Sequence, residues 1–405
     1  MRGPSVVRVE GPLASYASGF GAYLLERGYA LTSAEDQLRL VAHLSRWLEE
    51  QREEPGSLTP ELVGRFVAHR RESYVKLRSP LALAPLLEYL DGLGVLPDSP
   101  VEISTAVGRL LAEYRAYLVR ERGLAAGTVR LREQVAHRFL VEQPVPLELA
   151  LQRLEPADVT RFVLAECRSG RRGVASAKTL TSGLRSLLSF LHLTGWVPVG
   201  LAAAVPSVAG WRLASLPRAL ETGQVERLLA SCDRRTAVGR RDFAMLMLLW
   251  RLGLRSSEVA GLSLDDIDWR AGELTIRGKG AVCERLPLPD DVGRALVDHL
   301  HAGRAGGGCR MVFLRARAPQ RAITAAGVRS VVHHACDRAG LARVGAHRLR
   351  HTVASDLLRA GAALHEIAQV LRHASVASTA VYAKIDRASL RTLARPWPLE
   401  TGGVR

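Results

Sequence analysis

Four groups of residues in the second half of the sequence have the types and spacing for chemistry on a phosphodiester. Leu252-Gly253-Leu254-Arg255-Ser256-Ser257-Glu258 sets an arginine directly after an apolar run. Gly278-Lys279-Gly280 sets a lysine in a glycine turn, in a chain of 405 residues with only four lysines: Lys76, Lys178, Lys279 and Lys384. In His347-Arg348-Leu349-Arg350-His351, a helix would bring His347 and Arg350, three apart, onto one face. Leu371-Arg372-His373 is followed by Tyr382, the only tyrosine after Tyr117. Each has an ordinary reading alone. Arg255 could cap a helix, Lys279 could be a hairpin lysine, His347 and Arg350 could face solvent, and Tyr382 could be a core aromatic. Together they fit coincidence badly.

The segment from about Pro217 to Ile385 resembles the catalytic domain of the tyrosine recombinase (phage integrase) family. The family's first box resembles Gly253-Leu254-Arg255-Ser256-Ser257-Glu258, and its turn lysine matches Lys279. Its His-x-x-Arg-His box matches His347 to His351, and its Gly-His box and nucleophilic tyrosine match His373 and Tyr382. Residues 105–200 resemble the core-binding domain more loosely, and residues 1–100 are an addition to the two-domain plan. The sequence departs from the pattern twice. Arg372 stands where the family usually has Gly, and Val282-Cys283 stand where members often carry another basic residue.

The resemblance implies strand cleavage by Tyr382, giving a 3′-phosphotyrosyl link and a free 5′ hydroxyl. No metal, ATP or other cofactor is expected. A phenol has an ordinary pKa near 10, so Tyr382 needs a base and an activated phosphorus. His347 is the candidate base. Arg255 and Arg350 would clamp the non-bridging oxygens, as guanidinium is permanently charged and can bond two oxygens. His373 would donate to the same phosphate. Lys279 would protonate the leaving 5′ oxygen, with neighbouring arginines pushing its pKa down. Glu258 would orient Arg255 or Lys279, and His351 would have a secondary, supporting role. No His or carboxylate set has metal-ligand spacing such as HExxH.

These side chains need elements to hold them. Apolar periodicity predicts helices over 241–252, 325–339, 347–360, 364–372 and 376–385. Two strands are predicted over 272–277 and 284–288, joined by the glycine turn, and Thr222 is a predicted cap. The first 200 residues carry a duplicated pattern. Glu26-Arg27-Gly28, Val41-Ala42-His43 and Arg65-Phe66-Val67 recur as Glu121-Arg122-Gly123, Val135-Ala136-His137 and Arg161-Phe162-Val163. Each copy reads as about four amphipathic helices. In the second, Thr128 and Ser176 are predicted caps, and Lys178 and Arg185 on the last helix are candidate phosphate contacts. The expected fold is mainly α with a small β-sheet in the catalytic domain. It divides into helical modules at 1–100 and 105–200, a linker at 201–216, and a mixed α+β catalytic domain at 217–405. Within the last, Leu390, Leu393 and Trp397 form an apolar set suited to docking on a neighbouring subunit.

Composition narrows the class. Lys and Arg total 56 against 40 Asp and Glu, a formal charge of +16. Fifty-two of the cations are arginines, consistent with a compositional bias as well as a polyanionic partner such as double-stranded DNA. A hydrophobic content of 47% excludes a disordered basic tail. Five scattered cysteines form no CxxC pair, so neither a disulfide framework nor a zinc ribbon is expected. No signal peptide is evident. The uncharged stretch 186–211 is broken by Pro198, Pro206 and glycines, which makes it a helix end and linker instead of a membrane span. A cytoplasmic site is expected, nucleoid-associated when bound to DNA. The leading expectation is a site-specific recombinase of a mobile element, assembled as a homotetramer on two DNA sites, with or without sister recombinases. A type IB topoisomerase and an accessory DNA-binding member of a multi-recombinase complex are the alternatives.

Overall fold

The computed structural model describes residues 7–96, 105–168, 173–209, 219–278, 283–301 and 309–372. The chain divides into two compact units. Residues 1–93 and 215–405 form one, and residues 94–214 form the other. The two duplicated modules therefore fall in different units.

The first unit begins with helices α1 (Ala17–Glu26), α2 (Leu31–Gln51), α3 (Pro60–Ser73) and α4 (Ala84–Gly92). Leu38, Val41, Leu44 and Leu48 make the buried stripe of α2, at the spacing of a helix packed on one side. Thr59 caps α3 by accepting the Leu62 N–H, and Pro60 occupies the first turn, where a missing N–H costs nothing. Within this unit the Gln320 backbone N–H donates to the Arg27 carbonyl at 2.8 Å. Glu88 lies between Arg27, at 3.1 Å, and Arg321, at 3.3 Å.

The second unit contains α5 (Ala106–Arg120), α6 (Ala126–Val141), α7 (Leu147–Gln152), α8 (Pro156–Arg168) and α9 (Val174–Leu193). Its core joins Leu110, Tyr114 and Leu118 of α5 to Leu180, Leu184, Leu187 and Leu191 of α9. Phe139 meets Phe162 edge to face, ring centres 5.1 Å apart, a favoured aromatic geometry. Leu201 and Val205, in the stretch expected as linker, are buried in the same core. Two expected caps shift. Helix α6 begins at Ala126, before Thr128, and α9 begins at Val174, before Ser176. The six-residue α7 is too short to show a periodicity, and Pro144 and Pro146 stand directly before it. Among the described residues no helix is long and apolar enough to cross a membrane.

The C-terminal part of the first unit holds α10 (Thr222–Ala230), α11 (Ala237–Arg251) and α12 (Ser256–Ala260). Strands β1 (Ile267–Asp268), β2 (Glu273–Arg277) and β3 (Cys283–Pro287) follow, then α13 (Asp290–His301), α14 (Ala325–Arg338), α15 (Ala346–Arg359) and α16 (Leu364–Val370). The sheet is antiparallel throughout, in the order β1-β2-β3, with Ile276 opposite Glu284 and Arg277 opposite Cys283. Helix α11 is the centre of this core, with Met245 to Leu249 all buried. It starts four residues earlier than periodicity predicts, because Thr236 caps it by accepting the Gly239 N–H at 2.9 Å. The N-cap of α10 is Glu221, and Thr222 is its first residue. Helix α13 lacked a sequence prediction. Its buried face is Val292, Ala295, Leu296 and His299, and the histidine disguises the stripe. The predicted helix over 376–385 and the docking set Leu390, Leu393 and Trp397 lie outside the described residues.

Candidate active site

Arg255 and Arg350, ninety-five residues apart in sequence, are both placed at the end of α11. Gly253 terminates that helix with φ of 58°, in the left-handed region. A side chain there would place its Cβ 2.6 Å from Leu371 Cδ2, so glycine permits the close approach of the segment after α16. The chain then turns into α12, with Arg255 as its N-cap residue.

Glu258 organises Arg255. Its carboxylate accepts the Arg255 backbone N–H at 2.8 Å and Arg255 Nη1 at 2.5 Å. It also accepts Arg372 Nη2 at 3.0 Å. The Glu258 side chain is only 3% exposed, so it is a buried carboxylate satisfied by three donors. Burial by itself pushes this carboxyl upward. The Arg255 backbone N–H, the Arg372 charge and the Arg255 side chain outweigh that and hold its pKa below the ordinary value.

Arg350 projects from α15 into the same junction and is buried. Its Nη1 donates to the Gly253 carbonyl at 2.5 Å, and its Nη2 donates to the Leu371 carbonyl. One guanidinium thus ties the end of α11 to the end of α16. Arg255 Nη2 donates to the next carbonyl, that of Arg372, at 3.0 Å.

His347 sits one turn before Arg350 on α15, on the exposed side. Desolvation of its ring lowers its pKa, and the charges of Arg350, Arg255 and Arg329 lower it further, against a smaller upward pull from Glu258. The shift favours the neutral imidazole, the form that can accept a proton. His351 is lowered first by burial, then by His347 and Arg350. Its backbone carbonyl accepts the Ser355 hydroxyl, within the body of α15.

The structure thus brings together Arg255, Glu258, His347, Arg350 and His351. Lys279, His373 and Tyr382 lie outside the described residues. The strands flanking Lys279 in sequence are anchored where β2 ends, by Arg277 Nη2 on the buried Asp266 carboxylate at 2.7 Å. Lys178 is exposed on α9, whereas Arg185 Nη2 donates to the Val205 carbonyl at 2.9 Å and the Pro206 carbonyl at 3.1 Å. Two participants were not legible as such. Arg329 on α14 reaches His347 by charge, and Arg372 binds Glu258. Only the departure of Arg372 from the family pattern hinted at the second. Among the described residues no three His, Cys, Asp or Glu side chains group as a metal site.

Residues 218–388 match the model of the Phage integrase family. A Sinorhizobium fredii protein named as an integrase/recombinase, y4rA, is 41% identical over 397 residues, covering 96% of each chain. The chain is a member of the tyrosine recombinase (phage integrase) family. Tyrosine recombinase XerD of Listeria monocytogenes is 28% identical over 287 residues, covering 70% of this chain and 96% of XerD. The fold is also that of the XerH site-specific recombinase, solved bound to its difH substrate in a pre-cleavage complex. That structure aligns with a TM-score of 0.52 at 19% identity, over 81% of this chain and 93% of XerH. As a tyrosine recombinase the chain is a DNA strand transferase, of a family that works without ATP or metal. Arg255, Glu258, His347 and Arg350 all fall inside the matched segment.

Proposed function

We propose that this recombinase cuts and rejoins DNA at specific sites through a 3′-phosphotyrosyl intermediate on Tyr382, moving a mobile element by integration, excision or transposition. The observation that carries the reading is the junction of α11, α12 and α15. It gathers two guanidinium groups, one organising carboxylate and an imidazole whose pKa its neighbours lower. Arg255 and Arg350 offset the charge that grows on the phosphate oxygens, the use for which fixed cationic donors are worth most. His347 takes the phenolic proton of Tyr382. His373 donates to the same phosphate, and Lys279 protonates the leaving 5′ oxygen. A lysine can release that proton, whereas arginine holds its own at any physiological pH. Attack by a 5′ hydroxyl of another duplex completes the exchange, and the phosphodiester bond energy is conserved throughout.

Lys178 and Arg185 contribute phosphate contacts in this reading. The working assembly is a homotetramer on two DNA sites, with room for sister recombinases, acting in the cytoplasm on the nucleoid. Tyr382→Phe should abolish covalent protein–DNA adducts on a nicked substrate and leave DNA affinity intact. Adducts that persist in this variant remove Tyr382 from the nucleophile's role.

A further inference from the structure

Arg372 holds a backbone conformation that suits a smaller residue. Its φ is 53°, in the left-handed region where a side chain is strained and glycine is not. The family usually has Gly here, and this chain accepts the strain. The guanidinium is not turned to solvent, since its side chain is 5% exposed. Nη2 donates to Glu258 at 3.0 Å, and Nη1 donates to the Val370 carbonyl at 3.2 Å. Nε is buried without a hydrogen-bond partner and stands 4.0 Å from the Glu284 carboxylate on β3.

Charge explains what this placement can do. Arg255 is bonded to Glu258 at 2.5 Å, and a carboxylate that close offsets the charge the arginine would present to a phosphate. A second cation on the same carboxylate restores it. Arg255 and Arg372 then share one buried Glu258, two cations on one carboxylate, so the group stays cationic overall. The Arg372 carbonyl also fixes Arg255 by accepting its Nη2 at 3.0 Å. Through Glu284 the same side chain reaches the strand that follows Lys279 in sequence.

We propose that Arg372 is a positioning residue for strand cleavage: it holds Glu258 in place as the orienter of Arg255 and braces β3 through Glu284. The inference rests on the recombinase reading. It acts through Glu258, so its test is a coupling between the two residues.

The measurement is the rate of covalent adduct formation by the full chain on a nicked duplex, with duplex affinity and thermal unfolding measured alongside. Four variants are needed: Arg372→Gly, Arg372→Lys, Glu258→Gln, and Arg372→Gly combined with Glu258→Gln. Glycine relaxes the backbone at residue 372, so Arg372→Gly removes the side chain without a folding penalty from strain. It should slow cleavage about tenfold or more while leaving duplex affinity within about twofold. Arg372→Lys keeps the charge and the strain, and should recover part of the rate. In the Glu258→Gln background the Arg372→Gly change should cost less than about twofold, as no carboxylate is left to hold. The proposal is overturned if Arg372→Gly cleaves as fast as the parent, or if the loss is equally large in the Glu258→Gln background. A parent chain that forms no Tyr382-dependent adduct overturns the recombinase reading, and this inference with it.

Discussion

In the proposed mechanism His347 works as a base only while it is neutral, and its surroundings decide when that is. Partial desolvation of the ring and three arginines lower its pKa from 6.5, against one carboxylate. A base with a depressed pKa keeps its function on the alkaline side and loses it only as the pH falls through the lowered value. Cleavage of a nicked substrate at saturating DNA should therefore be level at pH 7, with its acid limb centred below 6.5. His347→Ala should lower the plateau by about 10²–10⁴, the usual worth of a general base, and erase that limb. A limb centred above 6.5 would contradict a depressed imidazole and point to another group. The nearness of His347 to Arg350 was legible in sequence, from their spacing, and its proposed role came from the family resemblance. Its lowered pKa was not legible, because Arg329 approaches from α14, eighteen residues away in the chain.

At the scale of elements, the site is a junction of helix ends. Gly253 ends α11, α12 opens at Arg255, and the segment after α16 supplies the Leu371 and Arg372 carbonyls. Helix ends are where unpaired carbonyls collect, so arginines there do two jobs: they satisfy backbone and they present charge. Gly253→Ala tests how tightly the junction is built. It adds a strained φ and a Cβ only 2.6 Å from Leu371, which must shift. The expected loss of stability is about 1–3 kcal/mol, seen as a lower Tm, with a matching loss of cleavage as Arg350 follows the displaced carbonyl. Unchanged Tm and rate would show that the α16 end gives way freely. The sequence pattern revealed Gly253 as a helix terminator, and β2, β3, α14, α15 and α16 within a residue or two. It did not reveal that Gly253 also had to admit Leu371, a contact between residues more than a hundred apart in the chain. Periodicity likewise missed the first turn of α11, where the apolar run has not begun, and all of α13, whose stripe includes a histidine.

For the whole molecule, the charge of +16 overstates what faces DNA. Arg70, Arg227 and Arg240 donate to backbone carbonyls, and such arginines hold the fold together without pairing a carboxylate that the net charge would have subtracted. If every excess charge displaced a counterion, the slope of log affinity against log salt would be about −14. Internal use of arginines should bring it to between about −5 and −9, a loss of about 10³–10⁵ in affinity from 50 to 200 mM salt. Titrating a fluorescent duplex across that range measures the slope directly. Lys178 supplies the internal check, since it is exposed on α9 and is a proposed phosphate contact. Lys178→Ala should make the slope shallower by about one and weaken all duplex sequences alike. A parent slope near zero would remove the phosphate backbone as the main source of affinity. An unchanged slope in Lys178→Ala would remove this lysine from the contact surface, and the rest of α9's exposed side would then have to be tested in its place.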